Sequence, residues 1–290
     1  MPDEELDLAT EGTILAQRYQ VERLVGVGGM GYVVRAKQIF TDQPVAVKLL
    51  LPERARDRAI VARFLREARA AARLKNEHVC RILDVGILDD GVPYIAMEYL
   101  DGQDLGTVLK ERGALTVREA VACVRQACEA VAEAHALGIV HRDLKPHNLF
   151  LSMRPDGTGS IKVLDFGIAK ILDPQSEQLQ LTSDGAILGS PAYMAPEQMM
   201  SAKSVDPRAD IWALGVVLFE LLGGRGPFAA PSVNATCARV LTQPAPRLGD
   251  LGVEVPAGLE ALIARCLEKD RERRLGSVAE LVAGLEPFAR

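Results

Sequence analysis

Apolar and polar residues alternate in the first part of the chain, a pattern typical of strands that bury one face. The alternation runs from Tyr19 to Lys48 and is broken by glycine and proline, which predicts a small antiparallel sheet. Apolar residues then recur at helical spacing from Ile60 to Leu74. This second pattern predicts one main helix packed against the sheet.

Two more strand-like runs, 80–85 and 94–99, follow the predicted helix. Asp-Asp-Gly at 89–91 supplies a turn between them, so we expect a hairpin. The chain from 1 to 12 carries five acidic residues without apolar periodicity, which predicts a flexible acidic extension.

Helical patterns dominate the rest of the chain. Thr116 and Glu119 match a capping box at the start of a long amphipathic helix, and Gly138 marks its end. The stretch from Asp210 to Leu222 is almost wholly apolar and predicts a buried helix. The fold class is therefore α+β, with a mainly helical second part.

Composition narrows the possible functions. A net charge of −5 argues against binding nucleic acid over the whole surface. The five cysteines contain no CxxC pair and indicate neither zinc nor a disulfide framework. The acidic start has the wrong sign for a signal peptide, and the most apolar run is too short to span a bilayer. We expect a cytoplasmic location and no membrane segment in this chain.

Three motifs carry candidate chemistry. His-Arg-Asp-Leu-Lys-Pro-His-Asn occupies 141–148, and Asp-Phe-Gly occupies 165–167. Residues 26–33 fit Gly-x-Gly-x-x-Gly-x-Val, whose glycines let backbone amides approach phosphate oxygens. A dinucleotide-binding fold shares this spacing but has a helix directly after the glycines. Strand-like residues follow here, which favours a nucleotide-covering hairpin.

With these motifs the chain resembles the protein kinases. Met30 and the sequence Glu-Gln at 197–198 are most similar to the bacterial serine/threonine kinases. The resemblance implies a bilobal protein-kinase-like fold: an N-lobe at 13–97, a hinge at 98–102 and a larger C-lobe at 103–290. The activation segment would span 165–197, and 13–290 would form one kinase domain.

The resemblance assigns the chemistry to four charged residues. Asp143 is the candidate base or orienting group for the incoming hydroxyl, and Lys145 places positive charge near the transferred phosphoryl group. Lys48 ends an apolar strand, where an ammonium needs an anion. It is expected to hold the α- and β-phosphates of ATP and to pair with Glu67; a surface acid is the alternative for Glu67.

Magnesium and nucleotide contacts follow from the same resemblance. Asn148 and Asp165 would supply oxygen ligands to Mg²⁺. The expected ATP contacts are three glycines and a lysine at the phosphates, two apolar residues above the purine and one below it, two hinge groups at adenine and one acid at ribose. They are Gly26, Gly28, Gly31, Val33, Ala46, Lys48, Glu98, Leu100, Asp104 and Phe150. An aliphatic core explains Val33 and Ala46 equally well.

The segment 189–197 resembles the platform that receives a peptide acceptor in protein kinases. By resemblance, Arg142 would bind a phosphate on the activation segment, and Thr182 and Ser183 are the best-placed hydroxyls to carry it. Ser190 stands where relatives usually have threonine. The alternative is a segment that is ordered without modification.

Three further residues are expected to have structural roles. By resemblance, Glu197 is buried against Arg274, and Asp210 accepts amide hydrogen bonds from the catalytic loop. Both roles are structural and not chemical.

The sequence thus predicts an ATP- and Mg²⁺-dependent serine/threonine protein kinase that acts on protein substrates. Autophosphorylation through transient self-association is also expected, and nucleic acid is not an expected partner. Two alternatives stay open: a pseudokinase that serves as a binding scaffold, and a small-molecule phosphotransferase of kinase-like fold.

Overall fold

A computed structural model describes residues 9–29, 31–154, 157–166, 191–200 and 205–289. The chain divides into two compact units between Asp101 and Gly102. The first unit holds the described residues up to Lys75 together with Cys80–Asp101, and the second holds Asn76–Val79 and the described chain from Gly102 onward.

The first unit is a six-stranded antiparallel sheet with two helices. The strand order is β1-β2-β3-β4-β6-β5. The strands are β1 (Ile14–Leu15), β2 (Tyr19–Gly28), β3 (Gly31–Gln38), β4 (Pro44–Leu50), β5 (Ile82–Ile87) and β6 (Pro93–Glu98), and the helices are α1 (Pro52–Ala55) and α2 (Arg58–Ala71). The predicted sheet, hairpin and main helix are confirmed.

The two faces of this sheet bury different side chains because successive residues of a strand point to opposite faces. In β4, Val47 and Leu49 join a core made by the strands and the segments beside them. Leu50 joins Phe64 of α2 and Ile95 of β6 in a second core. The helix therefore packs on the sheet face from which the even-numbered residues of β4 project.

The second unit is mainly helical and contains a three-stranded sheet in the order β7-β8-β9. Its strands are β7 (Gly102–Asp104), β8 (Leu149–Met153) and β9 (Gly159–Val163). Its helices are α3 (Leu105–Arg112), α4 (Val117–Ala136), α5 (Pro196–Met200), α6 (Arg208–Gly223), α7 (Val233–Thr242), α8 (Ala257–Cys266) and α9 (Val278–Leu285). Helix α6 is buried along nearly its whole length, as its apolar sequence predicts.

The predicted start of the long helix is confirmed. The hydroxyl of Thr116 accepts from the backbone N–H of Glu119, and the Glu119 carboxylate accepts from the N–H of Thr116. Helix α4 ends before Gly138, which has a φ of +73°. Within the described ranges, no helix combines the length and the apolar character needed to cross a membrane.

Three features of the fold were not expected from the sequence. Strand β1 precedes Tyr19, and the N–H of Gly12 donates to the carbonyl of Val21, so the described chain is structured ahead of the predicted sheet. The small β7-β8-β9 sheet has strands of three to five residues, too short for a clear alternation. Residues 76–79 belong to the second unit because His78 bonds β9 through both its ring and its carbonyl.

Candidate active site

The loop 141–148 lies between α4 and β8 and is anchored on one buried carboxylate. The backbone N–H groups of His141 and Arg142 donate to the two oxygens of Asp210, each at 2.8 Å. The ring of His135 lies 2.8 Å from Oδ2 of the same carboxylate. Asp210, near the start of α6, is 0% exposed, and these N–H groups offset the cost of burying its charge. The structure thus places Asp210 where the resemblance expects it.

The side chain of His141 ties the loop to Leu164, the residue directly after β9. Its Nε2 lies 2.8 Å from the carbonyl oxygen of Leu164, and its Nδ1 accepts from the N–H of Asp143 at 3.3 Å. A carbonyl can only accept, so Nε2 carries the ring hydrogen. The ring also contacts Phe166 at a centroid distance of 4.9 Å. His141 therefore fixes the loop and takes no part in proton transfer.

Asp143 presents a carboxylate that is held by two neighbours. The ammonium of Lys145 lies 2.9 Å from Oδ2, and Nδ2 of Asn148 donates to the same oxygen at 3.1 Å. Nδ2 also donates to the backbone carbonyl of Asp143 at 2.7 Å. These bonds orient a carboxylate that can accept a proton, with a cation beside it.

Asn148 and Asp165 are brought to neighbouring positions by the backbone. The N–H of Leu164 donates to the carbonyl of Asn148 at 2.9 Å, which sets Asp165 directly after this contact. The amide nitrogen of Asn148 is engaged by Asp143, so the amide oxygen is the atom suited to a cation. One amide oxygen and one carboxylate fit Mg²⁺, which retains water and binds phosphate oxygens besides its protein ligands.

Arg142 and Asp165 both adopt a left-handed backbone, with φ of +65° and +54°. Such a conformation costs a non-glycine residue about 1–3 kcal/mol and is concentrated at functional sites. At Arg142 the backbone is held by side chains, among them the Asp210 carboxylate that accepts its N–H.

The glycines of the β2–β3 hairpin fall into two kinds. A β-carbon at Gly31 would lie 2.1 Å from the carbonyl oxygen of Leu49, so packing inside the sheet requires glycine there. A β-carbon at Gly26 would meet no atom within 4 Å, and one at Gly28 would lie 3.7 Å from the nearest atom. Packing within the described chain therefore does not explain Gly26 and Gly28.

Lys48 and Glu67 project from elements that pack on each other. Lys48 is an even-numbered residue of β4, on the sheet face covered by α2, where it pairs with Val33 on one side and Ile95 on the other. Both carboxylate oxygens of Glu67 on α2 are buried. The structure thus gathers the two predicted partners within the first unit.

The other predicted nucleotide contacts are divided between the two units. Val33 and Ala46 lie on the same sheet face as Lys48, and Ala46 pairs with Met97 of β6. The N–H of Glu98 donates to the carbonyl of Arg81, while Leu100 follows in the segment before the second unit.

In the second unit Phe150 pairs with Asp104 across β7 and β8. The Asp104 carboxylate caps α3, accepting from the N–H of Thr107 at 3.0 Å and from its hydroxyl at 2.8 Å. Capping the helix is a structural role for Asp104, and the ribose contact predicted for the same residue remains a prediction.

The platform after residue 190 is tied to the rest of the second unit by two acids, one buried and one partly buried. Glu197 forms a two-pronged pair with Arg274, at 2.7 and 3.1 Å, and both residues are buried. Tyr193 donates to Glu220 of α6 at 2.6 Å. Burial raises the pKa of the Glu220 carboxyl, and burial beside Glu220 raises the pKa of the Tyr193 phenol. Thr182, Ser183 and Ser190 lie outside the described residues.

Sequence reasoning missed two contacts of this platform. An acid in an otherwise apolar helix signals a buried partner, which could have pointed to Glu220. The second is Gln198, whose side chain reaches the carbonyl of Arg142 at 3.0 Å. Gln198 is the third residue of α5, the position from which a glutamine closes a capping box.

The fold and these side chains are those of a class of protein: phosphotransferases of kinase-like fold, with an oriented aspartate beside an amide and a carboxylate that could hold Mg²⁺. A family model described as "Protein kinase domain" matches residues 19–284. The chain belongs to the protein kinase family. The expected bilobal protein-kinase-like fold class is thereby confirmed.

The relatives are bacterial serine/threonine-protein kinases. Pkn3 of Myxococcus xanthus is 39% identical over 277 residues, which make up 95% of this chain and 50% of that protein. PrkC of Bacillus subtilis is 37% identical over 275 residues, 95% of this chain and 41% of PrkC. This chain therefore spans half, or less, of the length of these relatives.

Solved structures agree with the family. The kinase domain of PknI from Mycobacterium tuberculosis superimposes with a TM-score of 0.75 at 30% identity, covering 97% of this chain and 99% of that one.

Proposed function

We propose that this chain is the catalytic domain of a serine/threonine protein kinase, which transfers the γ-phosphoryl group of ATP to hydroxyls of protein substrates. The observation that carries the proposal is the Asp143 carboxylate, held by Lys145 and Asn148 in a loop anchored on Asp210. A scaffold without chemistry has no need of an acid oriented in this way.

In the proposed reaction Asp143 orients the acceptor hydroxyl and takes its proton. The hydroxyl oxygen forms a bond to the γ-phosphorus, and the bond from that phosphorus to the oxygen bridging to the β-phosphate breaks. ADP leaves with the electron pair of that bond. Lys145 places its charge beside Asp143, where it stabilises the negative charge that develops on the transferred group.

The first unit supports the ATP part of the proposal. Gly26 and Gly28 leave room beside the hairpin backbone that no described neighbour fills, which suits the approach of phosphate oxygens. Lys48 is the cation proposed for the α- and β-phosphates, with Glu67 orienting it. When bound through Asn148 and Asp165, Mg²⁺ neutralises phosphate charge.

A protein acceptor is supported by the buried ties of the segment 191–200. A platform fixed by Glu197–Arg274 and Tyr193–Glu220 gives an extended peptide a rigid surface. We include in the proposal a cytoplasmic site of action and transient self-association. Autophosphorylation at Thr182 or Ser183, with the phosphate bound by Arg142, belongs to it as well.

Phosphate transfer from labelled ATP with Mg²⁺ to a general protein acceptor tests the proposal. Wild type should label the acceptor, Asp143→Asn should lose roughly 10²-fold or more of the rate, and the exposed control Asp89→Asn should match wild type. Equal rates for Asp143→Asn and wild type would overturn the proposal.

The two alternatives give different results in the same assay. A pseudokinase would bind ATP without labelling any acceptor, and a small-molecule phosphotransferase would label no protein while consuming ATP with a small acceptor. Label passed from wild type to the inactive Asp143→Asn chain would support self-association, and its absence would remove that part.

A further inference from the structure

Gln198 makes two hydrogen bonds, one as an acceptor and one as a donor. Its Oε1 accepts from the backbone N–H of Ala195 at 3.0 Å, and its Nε2 donates to the carbonyl of Arg142 at 3.0 Å. Ala195 supplies a donor and Arg142 an acceptor, so this pair of partners fixes which end of the amide faces which. The side chain therefore joins α5 to the catalytic loop, 56 positions away in sequence.

The carbonyl that Gln198 binds belongs to the peptide that leads into Asp143. The N–H of that same peptide donates to Nδ1 of His141 at 3.3 Å. The peptide between Arg142 and Asp143 is thus held on both edges, by His141 on one side and Gln198 on the other. A peptide held in this way sets the direction in which Asp143 leaves the backbone.

The held peptide follows a residue in an unfavourable conformation. Arg142 has a φ of +65°, and its own N–H donates to Asp210 at 2.8 Å. Both backbone polar groups of Arg142 are therefore bound by side chains from elsewhere in the second unit. A non-glycine residue keeps a left-handed backbone only where several surrounding contacts hold it there.

We propose that Gln198 is a positioning residue for the transfer reaction, acting through the Arg142 carbonyl to hold Asp143 in its working orientation. The inference rests on the proposed kinase function and adds to it a link between the acceptor platform and the base. The neighbouring Glu197 binds Arg274, which also donates to the carbonyls of Glu268 and Arg208.

Two variants separate positioning from general support. Gln198→Glu keeps the shape of the side chain, and as a carboxylate it loses the donor to Arg142. Gln198→Met loses both bonds. Exposed Gln243, at the end of α7, provides the matched control Gln243→Glu.

We expect Gln198→Glu to lower kcat roughly ten-fold at about pH 8, with the KM for ATP within about two-fold of wild type. This split is expected because the substitution disturbs the orientation of Asp143 and leaves the groups proposed to bind ATP unchanged. Gln198→Met should lower kcat at least as much, and Gln243→Glu should behave as wild type.

A kcat of Gln198→Glu equal to that of wild type throughout would overturn the inference. So would a loss of activity that matches a lowered melting temperature and raises the KM for ATP as kcat falls, since that is the behaviour of a structural residue. If wild type itself transfers no phosphate, the kinase proposal fails and hydrogen exchange decides the inference. Faster exchange of peptides covering 141–144 in Gln198→Met, and not in Gln243→Glu, supports it, whereas unchanged exchange refutes it.

Discussion

Gly31 and Gly26 are five positions apart on one hairpin, and the structure gives them different reasons to be glycine. Gly31→Ala would push a β-carbon to 2.1 Å from the Leu49 carbonyl oxygen. We expect it to lower the free energy of unfolding by about 1–3 kcal/mol. Gly26→Ala meets open space, so it should change stability by less than about 0.5 kcal/mol.

Denaturant unfolding and ATP kinetics of the two variants check this distinction. Gly26→Ala should raise the KM for ATP, because its methyl group occupies the space proposed for phosphate oxygens. A Gly26→Ala variant that is destabilised and binds ATP normally would show that the glycine serves packing instead.

Arg274 is the residue whose loss should cost the fold most among the charged pairs described above. It is 4% exposed and binds the Glu197 carboxylate and two backbone carbonyls. Arg274→Met leaves a buried carboxylate without its cation, which costs about 3–5 kcal/mol. Urea unfolding should show this loss, and adding Glu197→Gln should recover part of it.

Arg265 offers a control of the same residue type. Its guanidinium is mostly exposed and lies 3.9 Å from Glu280, so Arg265→Met should cost about 1 kcal/mol or less. Equal losses at Arg265 and Arg274 would contradict the account of the buried pair.

At the scale of elements, the capping box of α4 makes stability depend on pH. Bonds from Thr116, followed by Arg112, lower the pKa of Glu119 from 4.5 to about 2. A carboxyl with a lowered pKa in the folded state stabilises the fold above its unfolded pKa, and that contribution is lost as the pH falls.

The free energy of unfolding of Glu119→Gln should therefore lie below that of wild type near neutral pH. The gap should shrink as the pH falls from about 5 toward 3. Chemical unfolding across this range measures it, with the exposed Glu254→Gln as control. A gap that is constant with pH would show that the ionised carboxylate does not support the helix.

The sequence predicts some elements of this fold far better than others. The start of helix α4 is predicted by Thr116 and Glu119, which are three positions apart. Helix α6 is predicted by its almost wholly apolar sequence. Strands of β7-β8-β9 carry no such local signal because each is three to five residues long.

The candidate site shows the same dependence on distance along the chain. Motif spacing identifies Asp143, Lys145 and Asn148 because these residues lie within one loop. The support from Gln198 comes from 56 positions away, and only folding brings it to the loop. Asp210, 69 positions from His141, was expected only because the family resemblance pointed to it.

For the whole molecule, ATP binding should stabilise the folded protein. ATP that binds the folded chain raises its melting temperature by mass action. Mg²⁺ should add to the shift in wild type and in Asp143→Asn, since Asn148 and Asp165 are intact in both. Asp165→Asn should keep the shift from ATP alone and lose the part that Mg²⁺ adds.

Thermal unfolding with ATP, with Mg²⁺ and with both measures these contributions, and Asp89→Asn serves as the control for a surface aspartate. An Asp165→Asn variant that responds to Mg²⁺ as wild type does would remove Asp165 from the proposed metal ligands.

In the proposed function, the oriented Asp143 carboxylate acts as the base in the transfer of phosphate to protein hydroxyls. The most direct measurement is the identity of the residue labelled when wild type, ATP carrying a labelled γ-phosphate, Mg²⁺ and a protein acceptor are combined. We expect label on serine or threonine of the acceptor with wild type and with Asp89→Asn, and loss of this label with Asp143→Asn. Label that persists in Asp143→Asn, or that never reaches a protein hydroxyl, would contradict it.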